Sequence, residues 1–224
     1  MHDLAYRSLV YVHLLLFVLW LGADVGVFVL GQHFRKRHVY SLEQRVALLK
    51  LLVAVDMGPR SAWALMVPLS LSVATMAGLL VLPQFVVWVA WAMGGYWLWL
   101  VWDSHRHDQT PRAARNRRIE TPIKLVIMVF YLWLGISSLI FGAPIGATWL
   151  AWKATLFGVI FAAAMMIDVE FKPVGGQLMR LLSEGSSDAT EVPLRATMDQ
   201  TRIWVMSVYT LLLAIAWLGV VQPM

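Results

Sequence analysis

Residues 9–30 read LVYVHLLLFVLWLGADVGVFVL, and this stretch decides the fold class of the chain. A helix needs about 20 predominantly apolar residues to cross the hydrocarbon core of a bilayer, and these residues supply them. The stretch is too long for the apolar region of a signal peptide and lacks the basic front end of one. We therefore expect it to stay in the mature protein as a membrane-spanning helix.

The composition of the 224 residues agrees with this interpretation. Hydrophobic residues make up 60% and charged residues 14%, against roughly 45–50% and about 25% in soluble domains, and the mean hydropathy is +0.69. The chain has no cysteine, which excludes disulfides, thiolate metal sites, iron–sulfur clusters and covalent c-type heme. The net charge of +5 is a signal of membrane orientation, and we infer no nucleic-acid partner from it.

The apolar runs predict one all-α domain over residues 1–224, a polytopic transmembrane helix bundle with six spans. Gly58-Pro59 is expected to break the chain before the second span, with Ser61 as its N-cap. Thr121 and Pro122 are expected to open the fourth span as N-cap and first-turn proline. The predicted spans are Leu9–Leu30, Ala62–Leu82, Phe85–Trp102, Ile123–Phe141, Thr148–Ile167 and Ile203–Val221.

Basic residues sort onto one side of this arrangement. They fall in the loops after the first, third and fifth spans, and the tight turns after the second and fourth spans have none. By the positive-inside rule, the basic side is cytoplasmic and both termini are outside. We expect the membrane to be a bacterial inner membrane. The basic loop residues are Arg35, Lys36, Arg37, Arg45, Lys50, Arg60, Arg106, Arg112, Arg115, Arg117, Arg118, Lys172, Arg180 and Arg195.

The first and third cytoplasmic loops carry structural signals of their own. Ser41 followed by Gln44 fits a capping box. Apolar residues at helical spacing after it predict an amphipathic helix along the inner membrane interface. The polar loop Asp168–Asp199 is expected to be part helix and part flexible. The apolar face of the first loop consists of Leu42, Val46, Leu49, Val53 and Met57.

Ionisable residues inside spans are costly, so they are the candidate site residues. His13 and Asp24 lie about three turns apart on one face of the first span, and Trp20 joins that face. Lys153 in the fifth span lies at the depth of His13, in the outer half, so the two could form one site.

Each of these residues also has an ordinary structural interpretation. His13 could simply form a hydrogen bond with a neighbouring helix, and Lys153 could extend to the outer surface. Asp24 lies deep enough that we expect it to be protonated or paired with a cation, for which Lys124 is one candidate. Four tryptophans on one face of the third span could form a tetrapyrrole wall, or face lipid or pack on a helix. They are Trp88, Trp91, Trp99 and Trp102.

Three motifs together resemble the HemJ-type protoporphyrinogen oxidases and the related CopD-like membrane proteins. The first span has a His followed by Trp-x-Gly, a later span has Trp shortly before Lys, and the last span ends in a Val-Val-x-Pro tail. The resemblance covers roughly residues 8–80 and 146–223 and leaves two additional spans in 83–145. The motif residues are His13, Trp20, Gly22, Trp149, Trp152, Lys153, Val220, Val221 and Pro223.

The resemblance implies a function. In HemJ-type proteins the first-span His is a ligand of heme b and the later Lys is needed for activity, which correspond here to His13 and Lys153. The family oxidises protoporphyrinogen IX to protoporphyrin IX in porphyrin biosynthesis and passes the electrons on in the membrane. CopD-like relatives are associated with copper handling.

Three functions remain open at this point. The first is a heme-b membrane oxidoreductase with His13 as metal ligand, Trp20 beside the cofactor, and Lys153 and Asp24 as catalytic groups. Its partners would be the lipid bilayer, a porphyrinogen and a membrane electron acceptor. The second is an electron-transfer or anchor subunit of a respiratory complex, with a Met as second heme ligand. The chain could also associate with a second copy of itself or with another membrane subunit. The third is a proton-coupled or copper-related transporter that uses Asp24. The methionines considered were Met66, Met76 and Met128.

Overall fold

The computed structural model describes residues 2–223, with side chains from Leu4 onward, and within them the chain forms seven α-helices. An isolated bridge between Leu80 and Ile145 joins the two turns that precede α3 and α5. The all-α prediction is therefore confirmed for the described residues. The helices are α1 (His2–Phe34), α2 (Leu42–Met76), α3 (Gln84–Arg106), α4 (Pro111–Phe141), α5 (Thr148–Phe171), α6 (Val174–Glu184) and α7 (Asp188–Val221).

Five segments of the described chain are helical, long and apolar enough to cross a membrane. The fold is thus compatible with an integral membrane protein. The helix α2, which contains most of the predicted second span, is not among the five. Its helical part ends at Met76, and the turn that follows takes up residues expected to complete the span. The five segments are Leu4–Phe34, Gln84–Arg106, Pro111–Phe141, Thr148–Glu184 and Asp188–Val221.

The predicted break at Gly58-Pro59 is wrong, because α2 continues through both residues. Gly58 is instead a point of close packing, where a Cβ atom would lie 3.4 Å from Leu19 of α1. Proline is tolerated inside apolar helices when neighbouring helices cover the affected turn. Ser61 is not an N-cap; its hydroxyl donates to the carbonyl of Met57 at 2.7 Å. The capping box of Ser41, at the other end of α2, is confirmed.

The predicted start of the fourth span is also wrong. The helix α4 begins eleven positions earlier, with Thr110 as N-cap and proline at its first turn, and Pro122 lies inside it. The same Thr-Pro signal occurs at both places, and tertiary contacts favour the earlier one. Arg112 and Asn116, in the first two turns, donate hydrogen bonds to Asp103 of α3 at 2.6–2.7 Å.

The polar segment before the last span is more helical than expected. It contains the amphipathic helix α6 and the first turns of α7, which begins at Asp188 rather than at Ile203. Leu181 of α6 packs with Phe34 and Leu194 in a small apolar cluster separate from the main core. The expectation of a partly helical segment is confirmed, and its helices close one end of the bundle.

A buried ion pair holds that end of the bundle together. The guanidinium of Arg45 donates to both carboxylate oxygens of Glu191 at 2.5 and 2.9 Å, and its Nε donates to the carbonyl of Phe34 at 2.6 Å. The side chain of Arg45 is 1% exposed and that of Glu191 6%. Because α1, α2 and α7 each contribute one group, the contact fixes the relative positions of these three helices.

Helices that follow one another in the chain mostly pack on one another, and α5 also packs on α7. The helices α4 and α5 pack closely, because a Cβ atom on Gly135 would overlap Thr155. A Cβ atom on Gly158 would overlap Leu132 in the same way. The cavities between the packed helices include the two described below.

Candidate functional site

The first of these, the His13 cavity, has a volume of about 320 Å³ and lies between α1, α2, α4, α5 and α7. Its wall is mostly apolar and includes the side chains of Trp149 and Phe157. His13 and Lys153, which were singled out in the sequence, both line it, and so does Trp20. The cavity therefore brings together the residues that carry the His and Lys motifs.

His13 has an unsatisfied ring nitrogen. Its Nδ1 atom is buried and has no hydrogen-bond partner among the described residues. A buried polar atom without a partner carries a desolvation cost of about 1–3 kcal/mol, so such atoms are uncommon without a ligand, water or ion to satisfy them. The hydrogen bond to a neighbouring helix, which was the ordinary interpretation of His13, is not present at this atom.

The ammonium group of Lys153 lies against α7. Its Nζ atom lies 2.6 Å from the position that a Cβ atom on Gly219 would occupy. The absence of a side chain at Gly219 is thus what makes room for the ammonium group. Gly219 belongs to the last turn of α7, where the partial negative charge of the helix dipole favours a cation. No ion pair involves Lys153 within the described part of the chain.

Two further polar groups line the His13 cavity. The hydroxyls of Ser70 and Tyr131 lie 2.7 Å apart, and Tyr131 also donates to the carbonyl of Val67 at 3.3 Å. Of the three methionines considered as second heme ligands, Met66 lines this cavity. Met76 and Met128 are not among the lining residues.

The second cavity, the Asp24 cavity, has a volume of about 270 Å³ and a wall with more charged side chains. Two ion pairs line it: Asp56 with Arg60 at 2.5 Å, and Lys124 with Asp168 at 2.7 Å. The backbone carbonyl of Asp24 accepts a hydrogen bond from the Tyr209 hydroxyl at 2.7 Å. The carboxylate of Asp24 has no ion pair within the described part of the chain.

The side chain of Arg60 shows how open the Asp24 cavity is. Arg60 lines the cavity, and 51% of its side chain remains accessible. Half of the Asp168 side chain, 53%, is accessible in the same way.

Trp20 separates the two cavities and lines both of them. It is 5% exposed, and its ring contacts Trp63 on one side and Phe157 on the other, with ring centroids 5.9 and 6.3 Å apart. Trp63 in turn contacts Trp97, with centroids 5.0 Å apart. An unbroken series of aromatic rings therefore runs from the His13 cavity into the wall of the Asp24 cavity.

Some predictions about these residues are corrected by the structure. Asp24 lines the Asp24 cavity and is not among the residues that line the His13 cavity. Lys124, the candidate partner of Asp24, does not pair with it. The ammonium of Lys124 lies 2.7 Å from Asp168 and 4.0 Å from Glu120.

The four tryptophans on one face of α3 form no wall of either cavity. All four are exposed, which agrees with a lipid-facing or packing role. Trp91 and Trp102 donate to Ser72 and Ser61 of α2 at 3.0 Å. The tryptophan that α3 does place in the core is Trp97, which is 1% exposed.

Sequence reasoning missed several residues of the two cavities. Gly219 and Tyr131 carry no signal that separates them from other residues of apolar spans. Asp56 and Arg60 were assigned to a cytoplasmic loop, although their spacing of four residues on a helix predicts the ion pair that they form. Within the described residues, no cluster of three or more His, Asp or Glu residues could hold a metal ion.

Comparison of the chain with family models, curated proteins and solved structures gives no match. The resemblance to HemJ-type and CopD-like proteins therefore rests on the motifs in α1, α5 and α7. Those motifs meet at the His13 cavity, since His13 and Trp20 of α1, Lys153 of α5 and Val220 of α7 all line it.

Proposed function

We propose that the chain is a heme-b-binding oxidoreductase of the membrane, with His13 as an axial ligand of the heme iron. The observation that carries this proposal is the imidazole of His13, which lines an apolar cavity and whose buried Nδ1 atom has no hydrogen-bond partner among the described residues. A neutral imidazole nitrogen is a common ligand of heme iron.

The other groups of the cavity fit the same cofactor. Heme b is a flat apolar ring with two carboxylates, and the cavity offers aromatic and aliphatic walls with one ammonium, that of Lys153. A thioether is a known second ligand of heme iron, and Met66 lines the cavity. Met66 is 4% exposed, so it lies in the core rather than in lipid.

The residues of the cavity have separable tasks in this proposal. The heme would supply the capacity to accept and release single electrons. His13 would hold the metal as a neutral imidazole. Lys153 would bind a carboxylate of the cofactor or of a substrate, in surroundings where burial strengthens the attraction between opposite charges. The paired hydroxyls of Ser70 and Tyr131 could accept or donate a proton at the cavity wall.

The resemblance assigns the substrate class, a porphyrinogen oxidised to a porphyrin, with electrons passed to an acceptor in the membrane. Electron transfer without such a substrate is the alternative within the same cofactor chemistry. A transporter is the alternative outside it. The Asp24 cavity, with its charged wall, is the observation that favours the transporter.

We further propose that α2 crosses the membrane as a sixth span and that both termini lie outside. The part of α2 from Ala62 to Met76 is mostly buried between other helices. A helix enclosed in this way needs fewer apolar residues than one surrounded by lipid. The basic loops then fall on one side, which the positive-inside rule makes cytoplasmic.

The absorption spectrum of the detergent-purified protein, expressed with sufficient heme, tests the cofactor. We expect a Soret band in the wild-type protein and its loss in His13→Ala. His33→Ala is the matched control, because His33 lies on the same helix but pairs with the Tyr40 hydroxyl at 2.8 Å, outside the cavity. A wild-type protein without a Soret band would contradict the heme proposal and favour the transporter.

A porphyrinogen oxidation assay on the same preparations then separates the two redox functions. We expect turnover by the wild-type protein and impaired turnover by Lys153→Ala with its heme retained. A heme-containing wild-type protein that does not oxidise porphyrinogen would contradict the substrate and favour an electron-transfer subunit.

A further inference from the structure

We propose that the Asp24 cavity binds a small organic cation, a substituted ammonium compound, with the Asp24 carboxylate as its counter-ion. This site is distinct from the His13 cavity, from which Trp20 separates it. The proposal does not depend on heme. It rests on the charge balance of the cavity, on its aromatic wall and on its size.

The charged groups of the wall leave one carboxylate unpaired. Arg60 is paired with Asp56, and Lys124 is shared between Asp168 and Glu120. The third cation of the wall, Arg202, lies 3.7 Å from Asp199. Every cation thus has a carboxylate within 4 Å, whereas Asp24 has no cation that close among the described residues. The lining residues carry four carboxylates and three cations, so an added monovalent cation would offset the excess negative charge and an added anion would increase it. The carboxylates are Asp24, Asp56, Glu120 and Asp168, and the cations are Arg60, Lys124 and Arg202.

The wall beside Asp24 is aromatic, which decides the kind of cation. Trp20, Trp63, Phe28 and Tyr209 all line the cavity. Aromatic faces attract ammonium groups through their quadrupole, and rings around a carboxylate are a recurrent way to bind substituted amines. A metal ion would instead require several oxygen ligands, and the described residues form no such cluster.

The protein already uses this wall for an ammonium group of its own. Nζ of Lys124 lies 5.3 Å from the centroid of the Trp63 ring. Trp63 therefore tolerates a cation at its face in this environment. The indole N–H of Trp63 is buried without a hydrogen-bond partner among the described residues. The volume of about 270 Å³ leaves room for a further small molecule.

Three probes of nearly equal shape test the sign of the charge that the cavity selects. They are choline, its uncharged analogue 3,3-dimethylbutan-1-ol and the anion 3,3-dimethylbutanoate, each titrated into the purified full-length protein by calorimetry. We expect choline to bind at least about tenfold more tightly than the alcohol, because charge and ring attraction act together on the cation. The anion should bind more weakly than either.

Three variants test whether the Asp24 carboxylate is the group that selects the cation. Asp24→Asn should reduce choline binding to the level of the alcohol. The matched control is Asp108→Asn, which removes an exposed carboxylate that pairs with Arg117 between α3 and α4, outside the cavity. Val205→Trp should abolish binding of all three probes, because Val205 lines the cavity and the larger side chain would fill it.

Several results would overturn the proposal. Equal binding of choline and the alcohol would show that the cavity does not select a positive charge. Tightest binding of the anion would show that Arg60 and its neighbours, rather than Asp24, set the selectivity. Unchanged choline binding in Val205→Trp would place the site elsewhere. If Asp24→Asn does not fold, the wild-type ranking of the three probes and the Val205→Trp result still decide the matter.

Discussion

Replacing Gly219 by alanine should disable Lys153 without unfolding the protein. The added Cβ atom would lie 2.6 Å from Nζ of Lys153, whereas ordinary van der Waals contact begins at 3.4 Å. The ammonium group must therefore move away from α7. Because it is the free end of a flexible side chain, this movement costs little. Alanine also raises helix propensity by up to about 1 kcal/mol over glycine. We expect an unchanged or slightly higher Tm.

The effect on the cofactor should be larger than the effect on stability. A hydrogen bond to a charged group contributes about 1.5–3 kcal/mol, and each 1.4 kcal/mol corresponds to about a tenfold change in affinity. Partial loss of the contact between Lys153 and a heme carboxylate should thus weaken heme binding about tenfold. Titration of the heme-free protein with hemin, followed at the Soret band, measures this.

A double-mutant cycle shows whether the effect passes through Lys153. In a Lys153→Met background there is no ammonium to displace, so adding Gly219→Ala should have little further effect on heme affinity. Gly95→Ala is the control for a helical glycine with no atom near its Cβ position. If Gly219→Ala weakens heme binding equally in both backgrounds, or does not weaken it in the wild type, the assignment of Lys153 to a cofactor carboxylate is refuted.

Three other expectations concern the fold and its orientation. Arg45→Met should lower the free energy of unfolding by about 3–5 kcal/mol, because it leaves Glu191 buried and unpaired. The control Arg180→Met, at an exposed ion pair, should lower it by about 0–1 kcal/mol. Equal effects of the two substitutions in denaturant unfolding would contradict the importance of the buried pair. Gly135→Ala should cost about 1–3 kcal/mol through overlap with Thr155, and a thermal melt no lower than that of Gly95→Ala would argue against this packing. Arg115→Cys, in a chain without native cysteine, should react with a membrane-impermeant maleimide only from the cytoplasmic side, and labelling from outside would refute the proposed orientation.

The apolar runs were predictable because span formation depends mainly on local composition. The ends of the helices were not, because they depend on tertiary contacts. Pro59 and Pro122 are strong local stop or start signals, yet both lie inside helices that neighbouring helices support. The early start of α7 likewise depends on Glu191, whose partner Arg45 is 146 residues away in the chain. No local pattern contains that information.

The same reasoning explains why the sequence predicted part of the His13 cavity but not the wall of the Asp24 cavity. His13 and Lys153 could be related by depth alone, because each lies within an unbroken apolar run whose ends are visible in the sequence. The surroundings of Asp24 could not be predicted from the sequence, because Asp56 and Arg60 belong to a segment that looks like a cytoplasmic loop. The unbroken course of α2 carries these two residues into the bundle, where they line a cavity together with Asp24. Because α2 continues through Pro59, Asp56 and Arg60 line a candidate binding site and do not lie in the solvated loop that the sequence suggested.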